Sequence, residues 1–115
     1  MEIWHNSRCF KSRAAKGALE KAGVQFSERR YLEDAPSVAE LEEVLGKLGL
    51  EPWDITRMNE PVAKELGLRN AKHDRKPWLE TLSAHPSLIQ RPIVVTDDGR
   101  AYVARDEESL GQALS

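Results

Sequence analysis

The chain has 115 residues, 40% of them hydrophobic and 31% charged, a formal net charge of −2 and one cysteine. This length suits one domain that buries about two-thirds of the surface its unfolded chain would expose. The charge balance argues against a nucleic-acid footprint, and one cysteine cannot build an internal disulfide framework. No run of about twenty apolar residues offers a transmembrane helix. Residues 1–5 have neither a basic region nor a long apolar stretch, so no signal peptide is expected. The expected location is the cytoplasm, where a reducing environment keeps a thiol available.

Glu2-Ile3-Trp4 predicts a short strand, and Asn6 to Cys9 a loop leading into a helix over 12–22. Ala14, Ala15, Ala18, Leu19 and Ala22 recur at helical spacing, and Gly23 suits the helix end. Val24 and Phe26 alternate with polar residues in a second strand running towards Tyr31 and Leu32. A helix between two strands of one sheet makes them parallel. Ser37-Val38-Ala39-Glu40 reads as a capping box opening a helix through Leu48, with Gly49 as its stop. Pro52 starts a short helical turn, another runs from Asn59 or Glu60 to Leu66, and a further helix begins at Pro77-Trp78-Leu79 and ends near His85-Pro86. Pro92 to Thr96 is rich in β-branched residues, Asp97-Asp98-Gly99 marks a hairpin, and Arg100 to Ala104 is the return strand. Asp106-Glu107-Glu108 is an acidic start to a last helix. The order is β-α-β, a helical insertion over about 37–86, then β-β-α. It predicts an α/β chain with a thioredoxin-like mixed four-stranded sheet, one domain over 1–115, and a helical subdomain between its halves.

Cys9 falls where strand turns to helix, facing unpaired backbone N–H groups and the positive helix end. Both favour thiolate, the reactive form. Arg8, Lys11 and Arg13 flank it and would suit an oxyanion. These features predict redox chemistry on an anionic substrate, against the plainer alternative that Cys9 packs as a small hydrophobe. Ser12 completes a C-x-x-S spacing; it can donate a hydrogen bond to the thiolate but cannot close a disulfide, so resolution falls to an external thiol. Equally, Ser12 can be an ordinary first-turn residue. A phosphatase loop, C-x5-R, fails because its arginine position holds Ala15.

In Arg91-Pro92 the proline opens a strand, and the preceding residue is held extended, aiming Arg91 at Cys9; the alternative is a solvated edge residue. Arg57 and Arg105 stand at element ends, where a solvated charge is the simplest role. His5 can support the thiolate or shape the loop through a structural hydrogen bond. His5, His73, His85 and Cys9 do not have metal-ligand spacing, so no metal is expected. Trp4, Trp53 and Trp78 are expected in cores.

His5 to Arg13, Tyr31-Leu32-Glu33, Leu66-Gly67-Leu68 and His85 to Val95 together resemble the glutaredoxin-coupled arsenate reductases, nearly end to end. The resemblance implies that Cys9 attacks arsenate or a similar oxyanion. No bound cofactor is implied; reduction is completed by glutathione or mycothiol with a glutaredoxin-like partner. It also implies that Arg57, Arg91 and Arg105 hold the oxyanion, with His5 and Ser12 supporting the thiolate. Planar guanidinium groups suit such an anion. Ser7 and Phe10 stand where the family commonly has a proline and a small residue, and the stretch from Gly99 to Arg105 is one residue longer than usual. The same fold serves regulators of the Spx type that bind RNA polymerase, and reductases of other substrates. Many Spx-type regulators carry C-x-x-C, which Ser12 breaks.

Overall fold

Strand β1 (Glu2–Trp4) is only three residues long, yet it holds the sheet together by pairing on both of its edges. In the computed structural model, which describes residues 1–115, the sheet order is β2-β1-β3-β4. β1 runs parallel to β2 (Ser27–Arg29), with Ile3 opposite Glu28. It runs antiparallel to β3 (Ile93–Val95), with Ile3 opposite Val94 and Trp4 opposite Ile93. β3 pairs antiparallel with β4 (Ala101–Val103). This is the mixed four-stranded, thioredoxin-like sheet. The chain divides into two compact units, 1–34 with 91–115, and 35–90.

The first unit holds the sheet. Helix α1 (Phe10–Lys21) and helix α5 (Glu107–Leu114) contribute Ala15, Leu19 and Ala113 to a core completed by Ile3, Val94 and Ala104. Burying side chains of the size of Ile3 and Leu19, both fully buried, favours the fold by about 1.5–3 kcal/mol each. The β3–β4 hairpin needs Gly99 at φ +86°, a backbone conformation costly for other residues. The Arg91–Pro92 peptide is cis.

β2 stops earlier than the apolar pattern suggests. Glu33 and Asp34 both donate their N–H to the Arg30 carbonyl, at 3.0 and 2.9 Å. That turn carries Tyr31 out of the strand and into a fully buried position. α1 also begins at Phe10 rather than Ser12, because Cys9 itself serves as its N-cap.

The second unit contains helix α2 (Val38–Leu48), helix α3 (Pro61–Glu65) and helix α4 (Arg75–Ala84), linked by 3-10 turns. α2 packs on α4, which buries Trp78, Leu79 and Leu82. Trp78 donates its Nε1–H to Thr56 Oγ1 at 2.8 Å, and Trp53 stacks on His73 with ring centres 4.3 Å apart. α4 starts two residues before Pro77, since a proline in the first turn lacks only an N–H that has no helical partner anyway. No helix of the chain is long and apolar enough to cross a membrane.

Candidate active site

The loop after β1 is fastened by a series of hydrogen bonds that lead to Cys9. His5 N–H donates to the Arg29 carbonyl at 2.8 Å, continuing the β1–β2 ladder. The Asn6 carbonyl accepts from Cys9 N–H at 3.0 Å, and Asn6 Oδ1 accepts from Arg8 N–H at 3.0 Å. Ser12, fully buried on the first turn of α1, reaches back: its Oγ accepts from Asn6 N–H at 3.0 Å and lies 2.7 Å from His5 Nδ1. Loop and helix start are therefore one hydrogen-bonded piece.

Cys9 has an extended N-cap backbone, φ −96° and ψ 124°, and its carbonyl accepts the first helical bond from Arg13. No acidic residue lies in the first turn to neutralise the helix end. The sulfur closes no capping hydrogen bond of normal geometry. Burial alone would push the thiol up, since its exposure is only 9%. The Ser12 N–H, the Arg91 charge, the Lys11 N–H and a hydrogen bond from the Arg91 side chain together outweigh that burial, and the thiol falls below its ordinary value. Ser12 thus meets Cys9 through its backbone, while its hydroxyl serves His5 and Asn6.

Arg91 and Arg105 are joined by a 2.8 Å bond from Arg105 Nη1 to the Arg91 carbonyl. The Arg91 Nε–H is shut off from solvent and meets no acceptor in the protein. A buried donor without an acceptor costs about 1–3 kcal/mol. The Arg91 side chain also lies close enough to Cys9 to favour its thiolate. A thiol that favours its charged form beside a guanidinium has the elements that attack on an oxyanion would need.

The ArsC family model matches residues 4–113. The chain belongs to the ArsC family. It is 38% identical over 115 residues to the arsenate reductase of Neisseria meningitidis, covering 99% of this chain and 97% of that protein. It is 51% identical over 118 residues to a Streptomyces viridochromogenes protein described as an uncharacterized protein in the glnII region, covering 100% and 99%. The solved structure of the arsenate reductase from Vibrio cholerae superposes with a TM-score of 0.86 at 37% identity, over 99% of this chain and 96% of that one.

Within this ArsC-family chain, Cys9, His5, Ser12, Arg91 and Arg105 come together in the first unit. Arg57 belongs to the second unit. There it follows the 3-10 turn Pro52–Ile55, and its guanidinium pairs with Glu60 and donates to the Ser87 carbonyl at 3.2 Å. A cavity of about 250 Å³ opens beside the Cys9 loop, lined by residues that include Asn6, Arg8, Arg30 and Glu33. Two residues escape the sequence-based search, Asn6 and Glu28. Asn6 acts mainly through its backbone, which sequence does not display. The signal for Glu28 is the parallel pairing of β1 and β2, which sets an acidic residue two positions before Arg30 and beside the strand that leads to His5.

Proposed function

We propose that the chain is an arsenate reductase in which Cys9 is the nucleophile and Arg91 and Arg105 hold the oxyanion. The observation that carries this reading is the Cys9 thiol, held below its ordinary value beside an Arg91 Nε–H that has no protein acceptor. Ordered donors aimed at a multi-oxygen anion stabilise the charge that develops as sulfur attacks.

Cys9 sulfur bonds to arsenic, and one oxygen leaves as water, with arsenic still pentavalent. One external thiol then displaces a second oxygen as water, forming a second sulfur–arsenic bond. A second thiol attacks the sulfur of the first. They leave together as a disulfide, and the electron pair of the broken bond stays on arsenic, now trivalent. Water cleaves the remaining bond to Cys9, releasing arsenite and the thiol. The sum is arsenate plus two thiols giving arsenite, one disulfide and one water. The chain has one free cysteine, so both reducing equivalents come from outside. Glutathione or mycothiol with a glutaredoxin-like protein fills that role.

Purified protein given arsenate, a low-molecular-weight thiol and glutaredoxin should form arsenite, and Cys9→Ser should form none. Absence of arsenite with glutathione, mycothiol and every other small thiol offered overturns the assignment. RNA-polymerase capture that is indifferent to Cys9 would support a regulator of the Spx type instead.

A further inference from the structure

Behind Ser12 the contacts continue to β2 through a longer, purely electrostatic step. His5 is 3% exposed, and its Nε2 lies 3.7 Å from Glu28 Oε1. Glu28 in turn holds Lys16 of α1 at 2.7 Å and Arg30 at 3.1 Å. The proton directions along this chain follow from its members. Asn6 N–H can only donate, so Ser12 Oγ accepts from it. The fully buried Ser12 hydroxyl must then donate its own proton, and His5 Nδ1 at 2.7 Å is the acceptor in reach. A His5 ring whose Nδ1 accepts carries its proton on Nε2, the nitrogen that faces the Glu28 carboxylate.

We infer that Glu28 is a positioning residue for Cys9: it selects the His5 tautomer that lets Ser12 lock the loop onto α1. The lock matters because the Ser12 and Lys11 backbone N–H groups are the donors that face the Cys9 sulfur. The opposite tautomer would place a proton on Nδ1 and leave the buried Ser12 hydroxyl proton without its acceptor. The groups facing His5 are Glu28 and Arg30 from β2 and its end, and Lys16 and Arg13 from α1. Burial holds the ring neutral, the three cations reinforce this and Glu28 opposes it, so the neutral tautomer is the state that operates near pH 7. This inference rests on Cys9 being the nucleophile and not on the identity of the anion.

The test reads Cys9 directly. Iodoacetamide reacts with the one cysteine of the chain, and its rate against pH reports the thiolate. In Glu28→Leu the profile should move to higher pH, slowing alkylation at pH 7 by about threefold or more, the factor that half a pKa unit produces. A simple field effect has the opposite sign, because removing an anion from among these cations favours the thiolate. Glu28→Gln keeps a polar oxygen on the Nε2 side but loses the charge that acts across 3.7 Å, so its profile should fall between those of the wild type and Glu28→Leu. Nitrogen-15 NMR of the wild-type protein should show the His5 proton on Nε2. A Leu variant with an unchanged or lowered profile, a Gln variant displaced as far as the Leu variant, or a wild-type His5 protonated on Nδ1 overturns the inference. The NMR measurement decides it even where Glu28→Leu does not fold. Alkylation and NMR need no arsenate, so they stand or fall separately from arsenite formation.

Discussion

Two helix starts in this molecule are built on opposite plans. At α2, Ser37 accepts from Glu40 N–H at 3.1 Å, and Glu40 Oε1 accepts from Ser37 N–H at 3.1 Å, so two orphan donors are satisfied and a negative charge sits on the positive end. At α1, the N-cap is Cys9, whose sulfur faces the Ser12 and Lys11 N–H groups without a capping bond of normal geometry, and the first turn carries no acid. The one end is finished and the other carries neither acid nor side-chain cap, as the proposed thiolate and incoming oxyanion would require. A reactive helix end is thus a stability concession confined to one turn, and the loop bonds of Asn6 and Ser12 hold that turn in place.

Cys9→Ser should break this contrast most sharply. Arsenite formation should fall to background, while a hydroxyl at the N-cap stabilises the fold by about 1 kcal/mol, the usual worth of a serine cap. Thermal denaturation checks the second half, and a variant no more stable than the parent would show that α1 is not held open. Arg91→Ala should reduce arsenate turnover by about 100-fold, the loss typical of one oxyanion donor, and move the Cys9 alkylation profile to higher pH. Turnover equal to the parent would remove Arg91 from the site. At the finished end, Ser37→Ala should cost about 1 kcal/mol in urea denaturation with turnover unchanged.

The smallest effect concerns pH. Burial is the main reason that His5 has a lowered proton affinity in the fold, so the unfolded chain takes up that proton first. Stability present above about pH 6.5 should therefore decline as pH falls below it. Denaturant midpoints measured from pH 7 to 5 should show this slope, and His5→Gln should flatten it. A slope unaffected by the substitution would assign the acid sensitivity to other groups.

The order of strands and helices is legible in the sequence because each segment announces its own period, and the capping box at Ser37 and the glycine turn at Gly99 need only neighbouring residues. Cys9's place at a strand-to-helix junction is legible for the same reason. The pattern sets the helix start two residues late, since cysteine is not among the favoured caps and serine is. The role of the Ser12 hydroxyl is hidden, because it depends on His5 and Asn6 returning to the helix, and that return is fixed by the β1–β2 ladder. The hold of Arg105 on the Arg91 carbonyl is hidden as well, for it joins the ends of two different elements. Local pattern reveals which groups are reactive; the register between strands decides which of them touch.

The solitary state of the Cys9 sulfur also governs how the protein ages. Oxidised by peroxide, it would become a sulfenic acid with no neighbouring thiol in the chain to condense with, and a thiol from solution would be its only route back before the irreversible sulfinic stage. On the proposed mechanism, the small-thiol pool that drives turnover would also be the pool that repairs the protein. With that thiol scarce, turnover of the proposed kind would decline twice over, first through idle protein and then through its permanent loss.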